Sequence, residues 1–254
     1  MVGKLIILSG PSGVGKGPLT DTFAVYQKSN NRTFKKHVLY TSRGERVGEK
    51  NGVTYHFIKT SAELRKRGTE KGWHVYPVIK KGQAIDFEDN SIQWQAIDFQ
   101  ALQLELIDND YVLLEIYINE VPEVEKFCKN NGITVKKIFI SPFLPEDFES
   151  IGCTNEKERE IAMQAAMLTK LINRCTEDIS EIKKRAGRAY QEYLDAMNAE
   201  FKIFKNPYGE DNAETWRKLQ IIYAENKKPE TKKEKHLHDI FMNFADELNK
   251  NNSL

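Results

Sequence analysis

The chain lacks the usual features of secreted, membrane and metal-cluster proteins. It contains only three cysteines among 254 residues, and they lie far apart: Cys128, Cys153 and Cys175. An odd number at such spacing suits neither a disulfide framework nor a thiolate metal site. No apolar run is long enough to span a membrane, and the apolar stretch before Ser9 is too short for a signal peptide. We therefore expect a cytoplasmic protein.

An excess of charge of either sign is also missing. The 38 basic and 37 acidic residues leave a formal net charge of +1. Nothing in this balance indicates a nucleic acid or a membrane surface as partner. The five histidines also lack the spacing of a shared metal site: His37, His56, His74, His236 and His238. Any argument for function therefore has to rest on local motifs.

Short apolar runs alternate with helix-length segments along most of the chain. Residues 4–8 form an apolar run closed by glycine, and residues 16–26 follow with a helical pattern, which indicates a buried strand, a loop and a helix. Further strands are predicted at residues 53–58, 74–79, 111–118, 135–140 and 201–204. This alternation predicts an α/β layered fold.

Several other segments have the periodicity of amphipathic helices. From Ile92 to Leu106 the apolar positions share one stripe, so we predict a helix that begins at Ile92. Residues 155–174 and 177–199 are rich in helix formers and predict a helical excursion. Four apolar positions in its first helix are helically spaced: Ile161, Ala165, Leu168 and Ile172. We expect them to pack against the body of the protein, with an oligomer contact as the alternative.

The C-terminal segment differs in composition from the rest of the chain. Residues 227–235 form a polar, lysine-rich linker, and residues 236–250 resume an amphipathic pattern. We therefore predict one domain over residues 1–225, followed over residues 226–254 by a linker and a helix that docks on it. The oligomeric state is expected to be a monomer or a homodimer.

The strongest local signal is a glycine-rich segment where a strand leads into a helix. Glycines let the backbone point its N–H groups at phosphate oxygens, the helix N-terminus adds its dipole, and Lys16 can reach the β- and γ-phosphates. We predict that ATP phosphates bind to this segment: Gly10, Pro11, Ser12, Gly13, Val14, Gly15, Lys16 and Gly17.

One position of this phosphate loop departs from the usual pattern. Gly17 stands where a serine or threonine hydroxyl normally contacts Mg²⁺, and Pro18 follows it. Proline in the first turn of a helix costs little, so the loop can still form. Magnesium can instead be held by nucleotide phosphates, water and a carboxylate, for which Glu115 is the candidate.

Four segments together resemble the guanylate kinase family. They are Leu8 to Lys16, Thr41-Ser-Arg-Gly-Glu-Arg-Val-Gly-Glu49, Asn51-Gly-Val-Thr-Tyr-His-Phe57, and Lys184-Arg185 followed by Ala186 to Glu192 and then Phe201-Lys-Ile-Phe-Lys-Asn206. The resemblance is clear over residues 4–60 and weaker over residues 111–225. It implies a three-layer P-loop NTPase fold with a central parallel sheet, a small acceptor-binding subdomain at about 37–92 and a helical lid at about 142–185.

The resemblance also implies roles for individual residues. Two arginines and a tyrosine match the family's clamp on the acceptor phosphate: Arg43, Arg46 and Tyr55. Arg174 and Arg185 match lid arginines that close over the donor, and Lys170 falls where a further lid arginine is expected. Asn206 matches an asparagine that faces the donor base, although it could equally be a turn former.

The positions that read guanine fit the family less well. Guanine recognition needs hydrogen-bond acceptors, for which the family supplies carboxylates and hydroxyls. Here Leu39 stands where the family has a hydroxyl residue, and Tyr76 falls near the position of the family's glutamate. In place of the family's Asp-x-Asp pair, this chain has Glu115 and Tyr117. After a shift of register, one of four other residues could substitute: Asp86, Glu88, Asp89 or Ser91.

The resemblance implies an enzyme that transfers phosphate from MgATP to a nucleoside monophosphate, with GMP as the first choice. No general base is required, because a phosphate acceptor is already an anion and alignment is the main need. Two alternatives stay open. One is a non-catalytic guanylate-kinase-like module that binds a phosphorylated partner, and the other is a related kinase that acts on a different acceptor, such as a phosphosugar.

Overall fold

The computed structural model describes residues 2–46, 48–78, 92–174, 179–206 and 213–249. Within these ranges the strands are β1 Lys4–Ser9, β2 Phe34–Lys36, β3 Tyr40–Thr41, β4 His56–Phe57, β5 His74–Pro77, β6 Trp94–Ile97, β7 Tyr111–Glu115, β8 Val135–Ser141 and β9 Lys202–Lys205. The helices are α1 Lys16–Ser29, α2 Ser61–Lys71, α3 Phe99–Asp108, α4 Val121–Asn130, α5 Pro145–Ser150, α6 Glu156–Arg174, α7 Ile179–Asn198, α8 Ala213–Ala224 and α9 Lys232–Asn249. A short 3-10 helix spans Ile118–Glu120.

The larger sheet has five strands in the order β2-β7-β1-β8-β9. Its inner strands are nearly continuous apolar runs, because a strand covered on both faces must be apolar throughout. In β1, Leu5, Ile6, Ile7 and Leu8 are all inaccessible to solvent. Strands β8 and β9 pair in parallel, with Ile140 opposite Phe204. The predicted α/β fold is confirmed.

The smaller sheet has four strands in the order β4-β3-β6-β5. Strand β6 pairs antiparallel with both β3 and β5. One face of this sheet joins a hydrophobic cluster with α2: Ile58, Leu64, Ile92, Trp94 and Ala96, with Tyr40, Trp73 and Val75 packed against it. Side chains alternate between the faces of a strand, so the intervening residues lie on the opposite face.

The chain divides into two compact units. Unit 1 comprises Met1–Leu5, Lys35–Leu114 and Asn119–Thr134, and it contains the smaller sheet. Unit 2 comprises Ile6–Phe34, Glu115–Ile118 and Val135–Leu254, and it contains the phosphate loop and the helices from α5 onward. Among the described residues, no helix is both long and apolar enough to cross a membrane.

The predicted helix that begins at Ile92 is wrong over its first turns. Residues Trp94–Ile97 form β6, and α3 begins only at Phe99. The Asp98 carboxylate accepts hydrogen bonds from the backbone N–H groups of Gln100 and Ala101, which fixes the helix start there. The apolar stripe fitted both assignments, because pairing with neighbouring strands is not visible in the periodicity.

Two other strand predictions were too long. The segment predicted at residues 53–58 is a strand only over His56–Phe57, and the segment predicted at residues 111–118 ends as a strand at Glu115. Gly52, with a φ of 75°, lies in the turn before β4. The predicted strand at residues 74–79 is observed over His74–Pro77, and Ile79 lies outside the described residues.

The helices α6 and α7 pack against each other along their lengths within unit 2. The buried stripe of α6 is formed by Met163, Met167 and Leu171, which are spaced by one helical turn. The prediction that Ile161 and Ile172 pack against the body was wrong, because each is 55% exposed. The sequence of this helix contains two apolar stripes, and the periodicity alone does not show which of them is buried.

Helix α9 packs on unit 2 through aromatic side chains. The ring of Phe244 lies 5.7 Å from that of Phe23 and 5.2 Å from that of Phe204, measured between centroids. At its C-terminal end, the buried Lys136 donates to the carbonyl of Glu247 at 3.0 Å. Residues from α1, β8 and β9 thus contact this helix, and its side chains complete the core of unit 2.

Replacement of Phe244 by alanine should destabilise the protein, because the ring is fully buried. Truncation of a buried phenylalanine typically costs about 3–5 kcal/mol. Urea denaturation followed by circular dichroism measures the change. The matched control is Asn243→Ala on the exposed side of the same helix, which should leave the free energy of unfolding nearly unchanged. Equal stability of the two variants would contradict a packed α9.

Candidate functional site

The phosphate loop joins β1 to α1 in the conformation that its glycines permit. Gly10, Gly13 and Gly15 have φ values of 146°, 82° and 91°, which other residues rarely adopt. A Cβ atom at Gly10 would meet the carbonyl oxygen of Ile140 at 2.5 Å. The loop therefore requires glycine at this position for two reasons, backbone angle and space.

Lys16 lies inside the loop that it is predicted to serve. Its Nζ donates to the carbonyl of Gly10 at 2.6 Å and to that of Pro11 at 3.1 Å. The carboxylate of Glu115, at the end of β7, lies 3.7 Å from the same Nζ. The ammonium group is thus held by neutral carbonyls and one partly exposed carboxylate. A phosphate group would offer it a stronger, fully charged partner.

Asn206 is hydrogen bonded to the backbone of the phosphate loop. Its side-chain Nδ2 donates to the carbonyl of Val14 at 2.9 Å, and its backbone N–H donates to the carbonyl of Ser141 at 2.8 Å. The residue is fully buried. The predicted contact of Asn206 with the donor base stays a prediction. In the structure, the side-chain amide of Asn206 holds the backbone of the phosphate loop in position.

The two arginines predicted for the lid are only partly described. Arg185 on α7 donates from Nη1 to the Ser12 hydroxyl at 3.3 Å, so it already lies at the phosphate loop. Arg174 is the last residue of α6, and its side chain lies outside the described part of the structure. Lys170 on α6 is only 8% exposed, so it is a buried residue and not a solvated charge on the helix surface.

Glu192 is an acidic residue near the loop to which the sequence analysis assigned no role. It lies two helical turns after Arg185 on the same face of α7. Burial raises the pKa of its carboxyl, although the charges of Lys16, Arg188 and Arg185 favour the ionised form. Two signals in the sequence could have singled it out: its spacing from Arg185 and its place at the end of the matching segment Ala186 to Glu192.

Replacement of Glu192 by glutamine should change how stability depends on pH. A raised pKa means that the folded state binds more protons than the unfolded state above the ordinary glutamate pKa of 4.5. The free energy of unfolding of the wild type therefore falls as the pH rises from 4.5 toward the raised pKa of Glu192. An uncharged glutamine at this position cannot contribute to that fall.

Urea denaturation of wild type and Glu192→Gln at pH 5 and pH 8 tests this effect. The variant should gain stability relative to wild type at the higher pH. Glu149→Gln, an exposed residue of α5, is the control and should keep a constant difference. A stability difference between wild type and Glu192→Gln that does not change with pH would contradict the raised pKa.

The predicted acceptor clamp lies in unit 1. The guanidinium of Arg43 donates to both carboxylate oxygens of Glu49, at 2.6 and 2.5 Å, and lies 4.9 Å from the centre of the Tyr55 ring. The backbone N–H of Arg46 donates to the same carboxylate at 2.9 Å. The structure thus brings Arg43 and Tyr55 together, while Arg46 lies on the exposed part of the same loop.

Glu49 organises this loop, and the sequence analysis assigned it no role. The hydrogen bond from Arg43 lowers the pKa of its carboxyl, so Glu49 is ionised at neutral pH. A bidentate carboxylate fixes both the position and the plane of a guanidinium. Glu49 was visible inside the quoted motif, but its pairing with Arg43 depends on the fold of the loop.

Replacement of Glu49 by glutamine should weaken acceptor binding. Loss of the charged partner leaves Arg43 less ordered, and a charge-assisted hydrogen bond is worth enough to raise the acceptor KM about tenfold. The KM for ATP should not change. Steady-state kinetics with the exposed Glu45→Gln as control measures this effect. An unchanged acceptor KM would contradict a positioning role for Glu49.

The residues predicted for the acceptor base fall in both units. Leu39 and Tyr76 belong to unit 1 and are 4% and 3% exposed, whereas Glu115 and the 47% exposed Tyr117 belong to unit 2. The phenol of Tyr76 donates to Gln95 Oε1 at 3.0 Å. The four substitutes considered for the guanine reader lie outside the described residues: Asp86, Glu88, Asp89 and Ser91.

The metal requirement can be tested against the residues at the loop. A Cβ at Gly17 would meet nothing within 4 Å, so space remains where a hydroxyl usually points. Within the described ranges, no three histidine, cysteine or acidic residues cluster as a metal site. Glu115, whose carboxylate lies 3.7 Å from the Lys16 Nζ, supplies one carboxylate beside the phosphate loop. This donor set fits Mg²⁺, which takes one or two carboxylates together with phosphates and water.

The chain is similar to known proteins along most of its length. The guanylate kinase family model matches residues 2–183. A guanylate kinase from Clostridioides difficile is 25% identical over 246 residues, which covers 97% of this chain and 98% of the relative. One from Onion yellows phytoplasma is 29% identical over 226 residues, covering 89% and 88% of the two chains.

Two further proteins are similar to this chain, the first over only part of its length. A guanylate kinase from Bacillus subtilis is 35% identical over 94 residues, which covers 36% of this chain and 44% of the relative. A solved structure of guanylate kinase from Anaplasma phagocytophilum covers 95% of each chain at 20% identity, with a TM-score of 0.44.

Proposed function

The chain belongs to the guanylate kinase family, and we propose that it transfers the γ-phosphoryl group of ATP to GMP, which gives ADP and GDP. The observation that carries this proposal is the phosphate loop, in which Lys16 lies 2.6 Å from the Gly10 carbonyl within a ring of backbone groups. Relatives that match most of the chain are named guanylate kinase. The proposed activity follows from these two supports together.

On the donor side, the loop residues Gly10 to Gly17 bind the ATP phosphates. Their backbone N–H groups and the N-terminus of α1 supply a fixed positive field. Lys16 leaves the carbonyls of Gly10 and Pro11 for phosphate oxygens and stabilises the charge that develops during transfer. Arg185 and Arg174 approach from the lid helices, and Asn206 keeps the loop in place and contacts the donor base.

On the acceptor side, Arg43, Arg46 and Tyr55 bind the phosphate of the monophosphate. A planar guanidinium matches two phosphate oxygens at once, and Glu49 holds Arg43 in the required plane. The acceptor phosphate is already ionised, so the site has to align two groups and needs no general base.

The acceptor base is assigned to the positions that match the family's base readers. Within unit 1 these are Leu39 and Tyr76, both of which are buried in the smaller sheet or beside it. Glu115 and Tyr117 of unit 2 keep the same predicted role.

Mg²⁺ would be held by Glu115 together with nucleotide phosphates and water. When bound, it neutralises charge on the phosphate oxygens. Glu115 also faces Lys16, so this carboxylate keeps the ammonium group at the mouth of the loop until the nucleotide arrives. Gly17 and Pro18 contribute no oxygen side chain to the ion.

The alternatives are less well supported. A non-catalytic module would not need the glycine angles and the buried Asn206 that hold Lys16 at the loop. We also infer a cytoplasmic enzyme of purine nucleotide metabolism, because its three cysteines do not form a disulfide pattern and its substrates are nucleotides. A monomer or a homodimer remains the expectation.

A coupled ADP-release assay tests the proposed function. With MgATP, GMP should be turned over in preference to AMP, CMP, UMP and a phosphosugar. Lys16→Ala should lower kcat/KM at least about 100-fold, since it removes a charge aimed at the transferring group. Lys28→Ala, an exposed residue of the same helix, is the control. If no acceptor is turned over while ATP still binds, the proposal fails and a binding module takes its place.

A further inference from the structure

An ion pair joins the end of β9 to the start of α5. The ammonium group of Lys205 donates to Asp147 Oδ1 at 2.5 Å, and Oδ2 of the same carboxylate accepts from the backbone N–H of Leu144 at 2.6 Å. Leu144 occupies the N-cap position of α5. One carboxylate therefore caps the helix and also ties it to the larger sheet. We name Lys205 and Asp147 the junction pair.

The chain that leads from β8 to α5 is fixed close to the same end of β9. Ser141, the last residue of β8, lies opposite Lys205 in the parallel register. Its hydroxyl accepts from the backbone N–H of Phe143 at 3.1 Å, and its carbonyl accepts from the backbone N–H of Asn206 at 2.8 Å. The junction pair continues this set of contacts from the sheet into α5.

Lys205 and Asn206 connect α5 to the phosphate loop. The side chain of Asn206 donates to the carbonyl of Val14 in the loop at 2.9 Å, whereas the side chain of Lys205 holds α5. The two residues are neighbours in the chain, so their Cα atoms lie only about 3.8 Å apart. The start of α5 is therefore fixed relative to the phosphate loop through a single peptide unit.

Helix α5 in turn packs on α7, which carries Arg185. Phe148 of α5 is 1% exposed, and its ring centroid lies 5.7 Å from that of Tyr193 and 6.1 Å from that of Tyr190. Arg185 lies on the same helix as these tyrosines and donates to the Ser12 hydroxyl at 3.3 Å. Closely packed side chains transmit a displacement, because a protein interior has little free space. The contacts that begin at the junction pair thus return to the phosphate loop.

The charges of the junction pair are partly in contact with water. The side chains of Lys205 and Asp147 are 37% and 21% exposed. Ion pairs with this exposure add little to the free energy of unfolding, because solvent screens the charges and both side chains lose rotamer freedom. A carboxylate that accepts from two donors is nevertheless held in one position. A positioning role of this pair can therefore be separated from a stabilising role by experiment.

We propose that Lys205 and Asp147 are positioning residues for phosphoryl transfer, which hold α5 and α7 so that Arg185 lies at the donor phosphates. This inference rests on the proposed function, in which Arg185 approaches the donor. In this role neither residue of the pair contacts the nucleotide. Misplacement of a group by about 1 Å can lower a rate about 100-fold even when the mutated residue is far from the chemistry. The loss is expected in kcat, because the acceptor does not bind to α5 or α7.

The first experiment measures kcat, the KM for GMP and the thermal midpoint in Lys205→Met, which keeps the apolar stem and removes the charge. The kcat should fall about 10- to 100-fold. The KM for GMP should change less than about twofold, and the thermal midpoint should fall by less than about 4 °C. Lys205→Arg keeps the charge and should have a kcat within about threefold of wild type. Lys202→Met, at an exposed lysine of the same strand, is the matched control and should resemble wild type.

A double-mutant cycle establishes whether the two residues act together. Asp147→Asn keeps an acceptor for the N–H of Leu144 and removes the charge. The double variant should have a kcat within about threefold of either single variant, since loss of one partner already breaks the pair.

Four results would overturn the inference: an unchanged kcat in Lys205→Met, an equal loss in Lys205→Arg, single effects that multiply in the double variant, or a rise in the KM for GMP as large as the fall in kcat. A fall in the thermal midpoint above about 4 °C indicates a structural role and overturns it as well.

Absence of turnover in wild type contradicts the proposed function instead. Hydrogen exchange tests the junction pair in that case, because it requires no activity. The backbone amides of residues 144–151 should exchange at least about fivefold faster in Lys205→Met than in wild type, since α5 loses its tie to the sheet. Lys202→Met should show no such change. Unchanged exchange of this segment in Lys205→Met overturns the inference.

Discussion

The contact between Lys16 and the carbonyls of the phosphate loop is the interaction on which the rest of unit 2 depends. The ammonium group lies 2.6 Å from the Gly10 oxygen only because three glycines adopt positive φ angles and Asn206 supports Val14. Strands β1, β8 and β9 fix the two ends of this arrangement. The core of unit 2 thus holds one cation at the junction of β1 and α1, where we propose that phosphate binds.

Candidate site residues that lie in a contiguous motif could be proposed from the sequence. The phosphate loop needs neighbouring residues at a strand-helix junction, and Arg43, Arg46 and Tyr55 lie in one short segment. Glu49 and Glu192 could not be singled out in this way. Glu49 meets Arg43 in a bidentate contact that only the fold of the loop creates, and the charges of Lys16 and Arg185 affect Glu192 only because the fold brings them near it.

The smaller sheet was the least predictable part of the fold. Its strands are two to four residues long, which is too short for a period-two pattern to stand out. The stripe from Ile92 to Leu106 fitted a helix, yet Trp94–Ile97 pairs with strands on both sides. Gln95 consequently appeared as one polar position of a helix, and its place between Thr41 and Tyr76 emerged only from the strand register. Long, buried strands such as β1 and β8 were predicted nearly to the residue.

The measurement that tests the account most directly follows the transferred atoms themselves. ATP labelled with ¹⁸O in the γ-phosphoryl group is incubated with the enzyme and GMP, and the products are analysed by phosphorus NMR. The account predicts that the label appears in the β-phosphate of GDP and that Lys16→Ala abolishes this transfer. Label found only in inorganic phosphate, or no loss of label from ATP, would contradict phosphoryl transfer to a nucleotide at this site.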